Sequence, residues 1–132
     1  MTEEEFIRWV RSQCAKLNVK VRIGKGKTVN NLGTLCDGYF QEPDKYGPGE
    51  LAVAKHCDNF ILCLAHEYTH MLQWFYDEPI YTLRESDYYT LEKTTEREAL
   101  KLLRKLNVNT RLRESARRSS KEYLKWLKKE TR

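Results

Sequence analysis

The period of the apolar positions changes several times along the chain. Phe6, Val10, Cys14 and Leu17 recur near helical spacing. They follow Thr2-Glu3-Glu4-Glu5, a capping box with a hydroxyl at the N-cap and a Glu three residues on. This predicts a helix over about 3–17. Val19, Val21 and Ile23 then alternate with Lys20 and Arg22, the period-two pattern of a strand with one buried face. Residues 24–33 contain glycines and two asparagines and read as a loop or hairpin. A second strand is expected over 35–41 and a third over 51–55. Between them lies a turn-rich segment, 42–49, with Pro43 and Pro48.

From Asn59 to Phe75 the contrast between faces disappears: Phe60, Ile61, Leu62, Leu64, Ala65, Met71, Leu72, Trp74 and Phe75 surround the axis. A helix that is apolar on nearly every side is a buried one. Asp58 is its expected N-cap and Pro79 its stop. Residues 77–90 read as an irregular stretch carrying Tyr81, Tyr88 and Tyr89. Thr90 is placed to cap a helix over 91–106, a turn follows at 107–110, and an amphipathic helix is expected over 111–129. Leu112, Ala116, Ser119, Tyr123 and Leu127 lie along one side of that last helix. One helix, three short strands and then three helices imply an α+β fold rather than βαβ units.

Length and composition narrow this picture. At 132 residues, 40% apolar and 33% charged, the chain suits one compact soluble domain over 1–132. It contains no run of about 18 apolar residues that could span a bilayer. Met1 to Glu5 is acidic and lacks the apolar stretch of a secretory signal, so a cytoplasmic location is expected if the chain is complete. Cys14, Cys36, Cys57 and Cys63 form no C-x-x-C pair and read as free thiols of a reducing compartment. The charge is uneven. Residues 101–132 carry twelve Lys or Arg against three acids, +9, which leaves −4 for residues 1–100 of the total of +5. A nucleic-acid partner is one reading of such a tail. A basic amphipathic helix packed on the core gives the same pattern and is the simpler reading.

The buried helix carries the chemistry. His66-Glu67-Tyr68-Thr69-His70 is an H-E-x-x-H string. Residues i and i+4 lie one turn apart on one face, so two imidazoles there can converge on one metal ion. Glu67 is rotated by about 100° and points beside the metal, where a general base can reach a water held by it. A lone buried histidine is usually satisfied by the backbone. Two of them one turn apart, with a Glu after the first and an apolar helix around them, call for a compensating cation. One zinc ion per chain is expected, with a third protein ligand and a fourth position left for water. No histidine follows His70, and only His56 precedes the His66–His70 pair. The third ligand is therefore sought among the carboxylates of the next helix. Glu98 points away from the buried side set by Leu91, Thr95, Ala99, Leu102, Leu103 and Leu106. Glu96 lies at the edge of that side, and Glu92, one turn earlier, is its rival.

His66-Glu67-x-x-His70 followed by Glu96-Arg97-Glu98-Ala99 resembles the gluzincin metallopeptidases, whose third ligand is the Glu of an E-x-x-A segment. Gly38-Tyr39-Phe40, Glu50-Leu51-Ala52-Val53-Ala54 and Leu64-Ala65 extend the resemblance, over about 19–106, to minigluzincin and ImmA/IrrE-type domains. The resemblance implies a zinc metalloendopeptidase, a hydrolase, in which Glu67 is the base and His66, His70 and Glu96 hold the metal. It also implies that strand 51–55 is a sheet edge on which an extended polypeptide substrate pairs. Many relatives carry Asp or Asn after the Ala. Here Leu100 stands there, so a carboxylate that orients a histidine is missing or comes from elsewhere.

Tyr81, Tyr88 and Tyr89 lie between the two ligand helices, and a phenol there could donate to a tetrahedral intermediate. His56 is a further substrate-binding candidate. Two other functions compete. One is a DNA-associated, SprT-like protease or regulator using the basic tail, although such proteins use a third downstream histidine that this chain lacks. The other is a non-catalytic zinc-bearing binding module, which would more often close its site with four protein ligands, Cys57 and Cys63 being the nearest available.

Overall fold

In the computed structural model, which describes residues 1–76 and 78–131, helix α1 (Glu3–Lys16) starts at the expected capping box. Glu5 N–H donates to Thr2 Oγ1, and Thr2 N–H donates to the Glu5 carboxylate, both at 3.1 Å. Phe6, Val10 and Cys14 are its fully buried positions.

Five strands follow: β1 (Val19–Gly24), β2 (Val29–Asn31), β3 (Thr34–Cys36), β4 (Gly38–Gln41) and β5 (Gly49–Ala54). Two separate sheets form. β2 and β3 make a short antiparallel hairpin, turned by Leu32 and Gly33 at φ 52° and 94°. Two consecutive positive φ values suit the twist of a two-residue hairpin, and Gly33 adopts its value without a Cβ penalty. The strand expected over 35–41 is therefore two strands, broken at Asp37.

The main sheet has the order β1-β5-β4, with β5 parallel to β1 and antiparallel to β4. This corrects the expectation that 51–55 forms an edge. β5 is the central strand, and Leu51, Ala52, Val53 and Ala54 are completely buried. A strand covered on both faces reads as a continuous apolar run, so its sequence does not distinguish centre from edge. The edge beside the H-E-x-x-H helix is β4.

Helix α2 (Phe60–Phe75) lies across the sheet. Its N-cap is Asn59 rather than Asp58: Asn59 Oδ1 accepts from Leu62 N–H at 3.0 Å. A short 3-10 helix (Pro79–Arg84) occupies part of the segment expected to be irregular. Helix α3 (Tyr88–Lys105) begins three residues earlier than its pattern suggests. Asp87 caps it, accepting from Thr90 N–H at 3.1 Å and Thr90 Oγ at 2.7 Å, so Thr90 is the donor and not the cap. Helix α4 (Thr110–Glu130) packs on α3 and α2 through Ala116, Ser120 and Leu127.

The core runs between the sheet, α1 and the helical layer, through Phe6, Leu51, Leu64, Met71 and Leu103. Burying each such side chain contributes roughly 1.5–3 kcal/mol. The four cysteines are free thiols. Among the described residues no helix is long and apolar enough to cross a membrane.

Candidate metal centre

Helix α2 places His66 and His70 one turn apart, their rings edge to face at 4.6 Å between centroids. Helix α3 crosses opposite them. Glu92 Oε2 lies 3.1 Å from His66 Nε2 and 3.1 Å from His70 Nε2. These three donor atoms lie within 4.8 Å of one another and could hold one metal ion.

Glu96 takes a different position from the one expected. Its Oε2 is 2.7 Å from His66 Nδ1, on the far side of the ring from Glu92. The reason is geometric. Both acids lie on the buried face of α3, but α3 crosses α2 so that the turn holding Glu92 faces the Nε2 atoms. The next turn passes behind His66. The carboxylate that faces both Nε2 atoms is thus Glu92, and Glu96 stands instead at His66 Nδ1, where it can orient the ring. His70 is held in the same manner from α2 itself: its Nδ1 is 2.9 Å from Gln73 Oε1. The Gln73 amide donates to Thr95 Oγ1 at 3.0 Å, and Thr95 Oγ1 donates to Leu91 O at 2.8 Å. That chain fixes which end of the amide faces the imidazole.

The consequence is a convergence of acceptors. With Glu96 and Gln73 accepting at the Nδ1 atoms, each neutral imidazole carries its proton there. Both Nε2 lone pairs then face the same carboxylate oxygen. Three lone pairs aimed at one point require a cation or added protons, and two imidazoles with one carboxylate could hold a metal ion. In protonated form the cluster shows the same tension. Burial opposes the His66 imidazolium, but hydrogen bonds to Glu92 and Glu96 outweigh it and hold His66 well above the ordinary histidine value. Burial would raise the Glu92 carboxyl, yet the two histidines hold it far below the usual carboxylate range.

Glu67 is buried beside the cluster rather than in it. Burial raises its carboxyl above the usual value against the opposing pull of His70 and His66. Gly38 on β4 allows the close approach of strand and helix: a Cβ there would come within 2.8 Å of Ala52 O and Cys63 Sγ and 3.3 Å of Glu67 Cγ. Glu67, Tyr88 and Glu92 line both of two adjoining spaces. One is a cleft of about 990 Å³ walled by α4 through Arg118, Tyr123 and Trp126. The other is a recess of about 180 Å³ beyond His70, lined by β4, Tyr81 and Arg84.

Among the expected substrate contacts, Tyr88 is at the site, donating to Glu92 Oε1 at 3.0 Å. Tyr89 and exposed His56 line neither space. Tyr123, which the sequence pattern assigned to an apolar helix face, also reaches the site and donates to Glu92 Oε1 at 2.6 Å. No local signal marks it, because its neighbour in space lies 31 residues away in the chain. The chain matches no family model, no curated protein and no solved structure.

Proposed function

We propose that this protein is a zinc-dependent endopeptidase that cleaves an extended polypeptide beside β4, with Glu67 as general base. The observation that carries the reading is the convergence of His66 Nε2, His70 Nε2 and Glu92 Oε2 on one point, with a separate buried carboxylate, Glu67, next to it in an open cleft. A zinc ion held there would acidify a coordinated water and polarise a carbonyl oxygen. Glu67, with its carboxyl raised by burial, is suited to accept a proton from that water and return it to the leaving amine. The resemblance of His66-Glu67-x-x-His70 to the gluzincin metallopeptidases supports the choice of a peptide substrate. So does the edge position of β4, where an extended chain could add as a further strand. Three protein ligands also leave the open position of a catalytic site rather than the closed set of a structural one.

The test combines metal analysis with cleavage of a mixed peptide library. The wild-type protein should carry about one zinc per chain. Glu67→Gln should keep the metal and lose about 100- to 10,000-fold of its cleavage rate. Full activity in that variant would end the mechanism. Glu96→Ala should weaken metal binding by about 10- to 100-fold, as removal of an orienting partner does, and Glu92→Ala should weaken it further. The reverse order would return the ligand role to Glu96.

A further inference from the structure

Glu92 faces two ways. Its Oε2 meets the histidines, and its Oε1 accepts two phenol protons, from Tyr88 at 3.0 Å and Tyr123 at 2.6 Å. Bonds from a hydroxyl to an ionised carboxylate are among the stronger neutral-to-charged contacts, and the shorter of these lies in their characteristic range. The two donors have independent origins. Tyr88 sits one turn before Glu92 on α3, so the helix itself brings them together. Tyr123 comes from α4 and also meets the His66 ring edge to face at 6.4 Å. The fold holds α4 there by a further device: the Asn59 amide that caps α2 donates to Ser115 Oγ at 3.1 Å and Ser119 Oγ at 3.2 Å.

We propose that Tyr88 and Tyr123 are positioning residues that hold Glu92 as a one-oxygen metal ligand, which makes the C-terminal helix a working part of the metal site. The inference rests on the metal-site reading above. Oε1 has two lone pairs, and both are occupied by phenols. Chelation through both oxygens would require Oε1 to turn toward the ion and give up at least one phenol. The pair therefore fixes both the rotation of the carboxylate and the number of oxygens it offers.

The experiment measures affinity for zinc alone, by competition with a chromogenic chelator, and the visible absorption of the cobalt-substituted protein. It compares the wild type with Tyr88→Phe, Tyr123→Phe and the double variant. Each single change is expected to weaken zinc binding by about 10-fold and the double change by about 100-fold, the range for outer partners of a metal ligand. The cobalt bands should weaken as Glu92 becomes free to chelate. Circular dichroism checks that the fold is kept. If Tyr123→Phe does not fold, Tyr88→Phe carries the test, since 45% of that residue is exposed. Wild-type affinity and spectrum in the double variant would overturn the inference. Turnover lost with affinity and spectrum unchanged would also overturn it, by assigning the phenols to the substrate. A wild-type protein that binds neither ion would instead remove the metal-site reading itself, and this inference with it.

Discussion

Each histidine in the cluster has one nitrogen committed to the protein and one to the shared point. That division sets the pH dependence of metal uptake. The imidazole of His66 is held above its ordinary value of 6.5, so it retains its Nε2 proton into the neutral range. A metal ion must displace that proton. Affinity should therefore rise with pH through the raised value and fall on acidification, with net proton release on binding. Calorimetry in two buffers of different ionisation enthalpy, from about pH 6 to about pH 8, would show it. A flat affinity across that window would contradict the assignment. The residues that carry this chemistry were legible to different degrees. His66, Glu67 and His70 follow from spacing on one helix, since i and i+4 must share a face. The choice between Glu92 and Glu96 depends on how α3 crosses α2, and both glutamates satisfy the periodicity of a buried face. Matching an E-x-x-A segment pointed to Glu96, whereas the crossing puts Glu92 at the Nε2 atoms and Glu96 behind His66.

At the scale of elements, the helices were readable because their apolar patterns run over 14 to 21 residues, while the strands are only three to six residues each. Short strands leave register and neighbour order to tertiary contacts, which is why β5 could be taken for an edge and β3 and β4 for one strand. The caps shifted by one to three residues where two good candidates stand together, Asp58 with Asn59 and Asp87 with Thr90. The close passage of β4 over α2 gives a sharper test. Gly38→Ala would place a methyl against the Ala52 carbonyl and Cys63 Sγ at 2.8 Å, and the carbonyl belongs to the central strand and has little room to move. The substitution should destabilise the fold by about 1–3 kcal/mol, read from denaturant unfolding. It should also reduce cleavage more than it reduces metal binding, because the neighbours the methyl meets are Ala52, Cys63 and Glu67 rather than His66, His70 and Glu92.

For the molecule as a whole, the segment that looked like a basic tail has two unlike sides. Ala116, Ser120 and Leu127 seal it to the core, and Tyr123 reaches Glu92 in the candidate metal cluster. Arg117, Lys121 and Lys125 project outward and are exposed. Within residues 101–132, α4 carries eight Lys or Arg against three acids and α3 carries Lys101, Arg104 and Lys105, so the charge is spread over the outward faces of two packed helices. Duplex DNA should bind weakly and lose its affinity steeply with added salt, as charge alone dictates. Tight, salt-resistant binding that disappears in an Arg117→Glu, Lys121→Glu, Lys125→Glu variant would instead establish a nucleic-acid surface. Peptide cleavage and metal content should be unchanged in that variant.

Asn59 ties these scales together through one side chain. Its oxygen starts the histidine helix, and its nitrogen grips the far wall of the cleft. The two tasks are chemically separable. The paired changes Ser115→Ala and Ser119→Ala remove both acceptors of the amide nitrogen and keep the oxygen that begins the helix, whereas an aspartate at 59 would let both hydroxyls turn and donate to it. The double serine change should loosen α4 at the cleft mouth while leaving the start of α2 intact. The width of the cleft thus depends on a single amide group that lies outside the cluster of His66, His70 and Glu92.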